Sequence, residues 1–266
     1  QYKGIILTMK YGICQVVISP GRAEPADQSE IKMQLVFGDL VYVTEVRNNW
    51  TQLKMAKYDY SCWVDTKHIC ILEQSEFSSI HEQKEVRVKD ITSSLINVEN
   101  NEITHLVKGC LLPNFDSGKT SFGGKTFKFL GNTNHSFETK KEDIVATALE
   151  YLNSPYLWGG NSPYGIDCSG LTQMTYALHG IQIPRDAKDQ GTVGETVDFL
   201  AEAEPGDLIY FDNSEGVIMH VGILLPDSKI IHASGHVRID KIDHQGIYRA
   251  DFAKYTHQTR IIKKMF

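Results

Sequence analysis

Cys168 sits in the run Gly165-Ile166-Asp167-Cys168-Ser169-Gly170, where a helical pattern begins that continues to residue 179. A thiol at a helix N-terminus lies against unpaired backbone N–H groups and the positive end of the helix dipole. Both favour its thiolate, which is how a cysteine becomes a nucleophile near neutral pH. A cysteine taken at random is more often a buried packing residue, but the polar neighbours Asp167 and Ser169 and the flanking glycines set this one apart. His220 falls in residues 217–225, whose period-two alternation puts Ile218, His220, Gly222 and Leu224 on one face. His232 follows in the run Lys229-Ile230-Ile231-His232-Ala233 and comes to lie beside His220 if the two strands pair. A nucleophile, a base and a group that orients the base form the generalised triad. The chain has 10 histidines, so spacing alone leaves open whether this pair is catalytic or simply polar.

The elements that must position these residues begin at Thr139, where the sequence period changes. Residues 141–153 place Ile144, Ala148, Leu149 and Leu152 on one helical face, and Pro155 stops the helix. The helix expected over 168–179 is closed by Gly180. After Pro205-Gly206 the pattern turns to strands, at 207–211, 217–225, 229–233, 238–243 and 260–264. Helices first and antiparallel strands second describe an α+β domain over 139–266. Upstream, short strands at 12–18, 35–45, 50–54 and 60–64 are separated by Ser19-Pro20-Gly21 and Arg47-Asn48-Asn49. This punctuation predicts a small all-β barrel over 1–72. Residues 73–138 repeat the pattern more loosely, with Pro113-Asn114 as a turn and Gly123-Gly124 before a strand at 125–130, and predict a second barrel.

Composition narrows the function. The 266 residues carry a formal net charge of −6 and no long Lys or Arg block, which argues against nucleic acid as a partner. No apolar run approaches the ~18–20 residues of a transmembrane helix, and residues 1–6 lack a basic-then-apolar leader. The five cysteines, at 14, 62, 70, 110 and 168, include no C-x-x-C pair. That spacing fits neither a disulfide framework nor a zinc site, and reduced thiols point to a cytoplasmic home.

Six segments in order resemble the NlpC family of cell-wall cysteine peptidases. They are Tyr156-Leu157-Trp158-Gly159-Gly160, Asp167-Cys168-Ser169-Gly170, Ile183-Pro184-Arg185, Pro205-Gly206-Asp207-Leu208-Ile209-Tyr210-Phe211, His220-Val221-Gly222-Ile223 and Ile231-His232-Ala233-Ser234. The resemblance covers residues 140–264. It implies a papain-like catalytic domain with Cys168 as nucleophile, His220 as general base and then acid, and His232 as the group orienting the imidazole. It needs neither a metal nor an organic cofactor.

The first half is similar to something narrower. Arg22-Ala23-Glu24-Pro25 and Tyr58-Asp59-Tyr60-Ser61-Cys62-Trp63-Val64 resemble the first bacterial SH3-like domain of the dipeptidyl-peptidase VI branch of that family. The branch cuts murein peptides between γ-D-glutamate and the following L-lysine or diaminopimelate, on substrates that begin with a free L-alanine. The resemblance assigns Glu24 and either Tyr60 or Tyr58 to one end of the cleft, Asp167 and Ser169 to holding substrate beside the nucleophile, and Tyr156 and Trp158 to an aromatic wall. Asp186 is a further carboxylate that either meets substrate or is a surface charge before Lys188. Most relatives carry Ser or Thr where this chain has Ala187, so one hydroxyl that would help hold substrate is missing. The competing expectations are a general peptidoglycan endopeptidase, a non-catalytic murein-binding protein, and an acyltransferase working through the same thioester.

Overall fold

The computed structural model describes residues 10–134 and 139–266. Residues 1–6, read above for a leader, and residue 138, the expected end of the second barrel, lie outside these ranges. The chain forms two compact units, Gln1–His135 and Ser136–Phe266.

The first unit holds a seven-stranded antiparallel sheet in the order Ile31–Val36, Ile18–Arg22, Ser61–Asp65, Trp50–Met55, Leu40–Arg47, Lys10–Cys14, Ile69–Leu72. Met33, Leu35, Val41, Val43, Leu53 and Val64 are buried together at its centre. The run expected as one strand over 35–45 is split at Phe37-Gly38-Asp39, where the Asp39 carboxylate accepts from the Val36 N–H at 2.8 Å. Ser19-Pro20-Gly21, expected as a turn, lies inside strand Ile18–Arg22. Proline fits there because this strand meets its second neighbour only at Arg22, opposite Trp63, so no ladder bond is lost on that side.

The second sheet of this unit is four-stranded, in the order Lys119–Phe122, Lys125–Leu130, Thr92–Asn97, Ile103–Val107. Helix Gln74–Glu82 precedes it and was not expected from the sequence: it buries only Phe77 and Ile80, and Glu73 makes no side-chain cap. Phe77 packs against Tyr11 and Tyr42, with ring centroids 4.8 and 5.2 Å apart. Ile13, Phe37 and Leu40 of the first sheet share a core with Leu95, Phe122 and Phe127 of the second, so one apolar core runs across position 72.

The second unit is α+β. Helix Lys141–Leu149 is shorter than the expected 141–153, and Leu149 and Leu152 are exposed while Tyr151 is fully buried. The chain leaves the helix because Asn153 adopts φ +68° and donates its N–H to the Val237 carbonyl. Helix Cys168–Ala177 follows, and Gly180 beyond it has φ +77°. Seven antiparallel strands are ordered Glu195–Val197, Lys254–Lys264, Leu208–Asp212, Ile218–Leu225, Lys229–Ser234, His236–Asp243, Gly246–Arg249, and the last also pairs with Lys254–Lys264. That extra pairing closes six strands into a barrel. Phe211, Leu224, Ile230, Ile247 and Ile262 are buried together on one face of its wall. On the other, Val221, Ile223 and Ile231 pack with Ile144, Leu171 and Met174 of the two helices. Among the described residues no helix is long and apolar enough to cross a membrane.

Candidate active site

The start of helix Cys168–Ala177 is held by the side chain of Asp167. Its Oδ1 accepts from the Gly170 N–H at 2.6 Å, which caps the helix. Its Oδ2 accepts from the Gly159 N–H at 2.8 Å, and the Arg185 guanidinium grips both oxygens at 3.1 and 2.6 Å. Arg185 Nη1 also donates to Ser169 Oγ at 2.9 Å. Gln190 ties the same turn to the 184–190 loop, donating to the carbonyls of Ser169 and Pro184. Gly170 has to be glycine, since a Cβ there would stand 2.2 Å from the Gly160 carbonyl oxygen. The glycines around Cys168 thus let the 159–160 loop press onto the helix start, and a bidentate, buried Arg–carboxylate pair locks it.

Cys168 is buried, and its sulfur accepts from the backbone N–H of Val221. The thiol therefore lies against the peptide that follows His220. Burial pushes it up to about 12, and Asp167 pushes the same way, while the Val221 and Ser169 N–H groups and Arg185 pull down. The helix start by itself favours the thiolate, and burial opposes it. At the first turn of the helix the loss of water outweighs the stabilising backbone N–H groups, so the resting sulfur carries its proton and needs a base to take it.

His220 lies at the end of a line of hydrogen bonds. In the barrel register His232 lies opposite Gly222, which makes it the diagonal neighbour of His220 on the same face. His220 Nε2 and His232 Nδ1 are 2.8 Å apart, and His232 Nε2 lies 2.9 Å from Asp240 Oδ2. Arg238 Nη2 donates to Asp240 Oδ1 at 2.9 Å, and Arg238 is in turn paired with Asp251. The His220 strand meets Phe211 where the ladder slips by one residue, and such bulges re-aim side chains at strand ends. Burial holds His220 well below its ordinary value, with His232 and His257 adding to the effect. Burial also lowers His232, against the opposing pull of Asp240. Both rings are therefore neutral near pH 7, and the ring nitrogen of His220 not bonded to His232 is Nδ1.

A third imidazole, absent from the sequence expectations, stacks on the first. The rings of His257 and His220 are 4.3 Å apart and 26° from parallel, and His257 Nδ1 bonds Thr256 Oγ1 at 2.9 Å. Burial pushes His257 down to about 4. Unfolded, it binds a proton near 6.5; folded, it does not. The stability from keeping this ring neutral is thus present above about pH 6.5 and lost as pH falls toward 4. Thermal melts between pH 7.5 and 5 are expected to show Tm falling with pH, more shallowly in His257→Phe, which keeps the stack and removes the titration. Parallel Tm–pH curves for the two proteins would contradict this account.

The remaining expected site residues fall as follows. Tyr156 is half-buried, and burial together with Cys168 and Asp167 raises its hydroxyl. Trp158 is 55% exposed. Asp167 and Ser169 are buried and bonded as described. Asp186 is half-buried and precedes the short helix Ala187–Gln190, in which Ala187 is buried. Glu24 and Tyr60 belong to the first unit: Glu24 is exposed, its N–H bonded to Ser29 Oγ, and Tyr60 is half-buried with Lys32 Nζ 4.7 Å over its ring. Sequence reasoning gave no role to Arg185, Asp240, Arg238 or His257. The one available signal was alternation: Arg238 and Asp240 are charged residues two apart on a strand next to that of His232.

The NlpC/P60 family model matches residues 153–256. Dipeptidyl-peptidase 6 of Lysinibacillus sphaericus is 31% identical over 259 residues, covering 87% of this chain and 92% of its own. Gamma-D-glutamyl-L-lysine dipeptidyl-peptidase of Bacillus subtilis (strain 168) is 29% identical over 219 residues, covering 76% and 72%. A crystal structure of a NlpC/P60 family protein from Bacillus cereus ATCC 10987 superposes with a TM-score of 0.81 at 20% identity, over 96% of this chain and 99% of that one. The last shows a shared fold across both units' sequences; the first relative shows shared descent over nearly the whole chain.

Proposed function

Because this chain belongs to the NlpC/P60 family of cysteine peptidases, we propose that it hydrolyses murein peptides between γ-D-glutamate and the L-lysine or diaminopimelate that follows, on substrates with a free N-terminal L-alanine. The observation that carries the reading is the line from His220 through His232 to Asp240, which starts at the residue preceding the Val221 N–H that meets the Cys168 sulfur. The names of two long-range relatives, dipeptidyl-peptidase 6 and gamma-D-glutamyl-L-lysine dipeptidyl-peptidase, support the choice of bond.

In this mechanism His220 Nδ1 takes the thiol proton as the Cys168 sulfur attacks the γ-glutamyl carbonyl carbon. The tetrahedral oxyanion forms at the helix start, where the Cys168 backbone N–H serves as a donor. His220 returns the proton to the leaving amine as the C–N bond breaks, and a thioester remains. Water then gives a proton to His220 and attacks the thioester, releasing the γ-D-glutamyl carboxylate and regenerating the thiol. His232 holds the imidazole in orientation throughout. Mass spectrometry of L-Ala-γ-D-Glu-L-Lys and its diaminopimelate counterpart after incubation with the protein is the direct test. Release of L-Ala-D-Glu supports the reading, and recovery of both peptides intact overturns it. Amine adducts formed on adding nucleophilic amines would indicate acyl transfer in place of hydrolysis.

The preference for a free amine rests on the resemblance of the segment around Glu24. Removing one partner of a desolvated carboxylate–ammonium pair typically costs ~2–5 kcal/mol. Allowing for the exposure of Glu24, Glu24→Gln is expected to lower kcat/KM on the free tripeptide by about tenfold or more, with a milder effect from Tyr60→Phe. The wild type is expected to reject the N-acetylated tripeptide. Similar rates on the free and acetylated peptides would instead describe a general wall endopeptidase.

A further inference from the structure

We propose that Asp240 is a positioning residue that sets the tautomers of His232 and His220 in series, so that His220 presents an unprotonated Nδ1 to the Cys168 thiol. This rests on the reading of Cys168 and His220 as nucleophile and base. The argument runs outward from the carboxylate. Asp240 is buried, and although burial raises it, hydrogen bonds from His232 and Arg238 hold it below the ordinary carboxylate value, so it is ionised and can only accept. His232 Nε2, at 2.9 Å, must then carry a proton. A neutral His232 has a bare Nδ1, which can only accept from His220 Nε2 at 2.8 Å. His220 therefore carries its proton on Nε2, and its Nδ1 is the free lone pair. One charge two residues removed from the base decides which face of it is basic.

Arg238 makes the arrangement directional. Its Nη2 donates to Asp240 Oδ1 at 2.9 Å, its Nε stands 2.6 Å from the Oδ2 that faces His232, and Asp251, itself paired with Arg249, holds the guanidinium in place. In Asp240→Asn the single amide oxygen is claimed by Arg238, which has no acceptor to offer. The amide NH2 then faces His232 Nε2 and must donate to it. His232 moves its proton to Nδ1, donates to His220 Nε2, and forces the His220 proton onto Nδ1, toward the thiol. An isosteric change thus reverses two tautomers, at the cost of the Arg238 Nε contact with the same atom of residue 240.

The test combines spectroscopy with kinetics. In the wild type, nitrogen-15 NMR of the histidine rings is expected to place protons on Nε2 of both His220 and His232, with His220 Nδ1 bare; Asp240→Asn is expected to move both protons to Nδ1. On the tripeptide, Asp240→Asn is expected to lower kcat on the order of 10²–10⁴-fold, the scale of a wrong-tautomer base, with KM within about threefold. Alkylation of Cys168 by iodoacetamide should slow in parallel. In a His232→Leu background, where the series is cut, Asp240→Asn should cost less than about threefold more. A proton on His220 Nδ1 in the wild type would overturn the proposal, as would turnover of Asp240→Asn within threefold of wild type or losses that multiply in the double variant. If Asp240→Asn does not fold, the wild-type spectrum still decides. If the wild type cleaves no murein peptide, the functional reading fails while the ring spectra and the alkylation rate still report on Asp240.

Discussion

Cys168→Ala is expected to lower hydrolysis of the tripeptide by at least about 10⁴-fold, since removing a covalent nucleophile leaves only binding and oxyanion stabilisation. The fold should persist. The side chain is buried, but alanine keeps its Cβ, and the turn is held by the Asp167–Arg185 pair and the Gln190 hydrogen bonds, none of which uses the sulfur. Circular dichroism and a melting curve close to wild type would separate lost chemistry from lost structure. The other cysteines are free thiols. Cys14 and Cys110 are packed in the apolar cores of the first unit, so Cys14→Ala should turn over close to wild type. Residual turnover within tenfold of wild type in Cys168→Ala, measured in chelator-treated buffer, would exclude the thioester route.

His220→Ala is expected to be nearly as damaging, about 10³–10⁵-fold, because nucleophile and base act as one unit. The structure makes the dependence steep. A thiol pushed up to about 12 has almost no thiolate at pH 7, so proton transfer to the imidazole must accompany attack. The pH profile follows with a definite sign. Burial lowers His220, so the base stays neutral and competent through the range where an ordinary histidine titrates. Activity should therefore hold as pH falls through about 6.5 and decline only well below the ordinary histidine range. An acid limb centred above pH 7 would show that the working base is raised, not lowered. His232→Gln should cost less than His220→Ala, because an amide still bonds the imidazole. Equal and complete loss with a normal fold would assign His232 direct chemistry.

How much of the catalytic centre was legible in the chain depended on whether its parts were local. The helix start at Cys168 and the glycine at 180 were readable because starts and turns are written in adjacent residues, whereas Asp167, read as a substrate contact, emerged as the cap only in the structure. The strands bearing His220 and His232 were readable because alternation is a local period, and their pairing followed from a short connection. Helix Gln74–Glu82 was not, because two buried apolar residues and no cap are too little signal. The end of helix Lys141–Leu149 was misplaced because a hydrogen bond from Asn153 to Val237, more than 80 residues away in the chain, ends it.

The sequence by itself determined the local setting of Cys168, the strand that carries His220, and a net charge and composition that argue against nucleic acid as a partner. These rest on contacts between neighbours and on counting. Only the tertiary structure decided the state of the thiol, because burial by Val221 and its surroundings is a property of the packed barrel and not of the helix turn. It alone brought Asp240 behind His232, through pairing of His236–Asp243 with Lys229–Ser234, and His257 onto the face of His220, through the strand Leu208–Asp212 that pairs with both of their strands. The lone Arg185 became the clamp on Asp167 only once a loop 18 residues downstream folded back over the helix start. Burial and long-range pairing have no period in the sequence, so which polar groups meet His220 and His232 was decided by the fold.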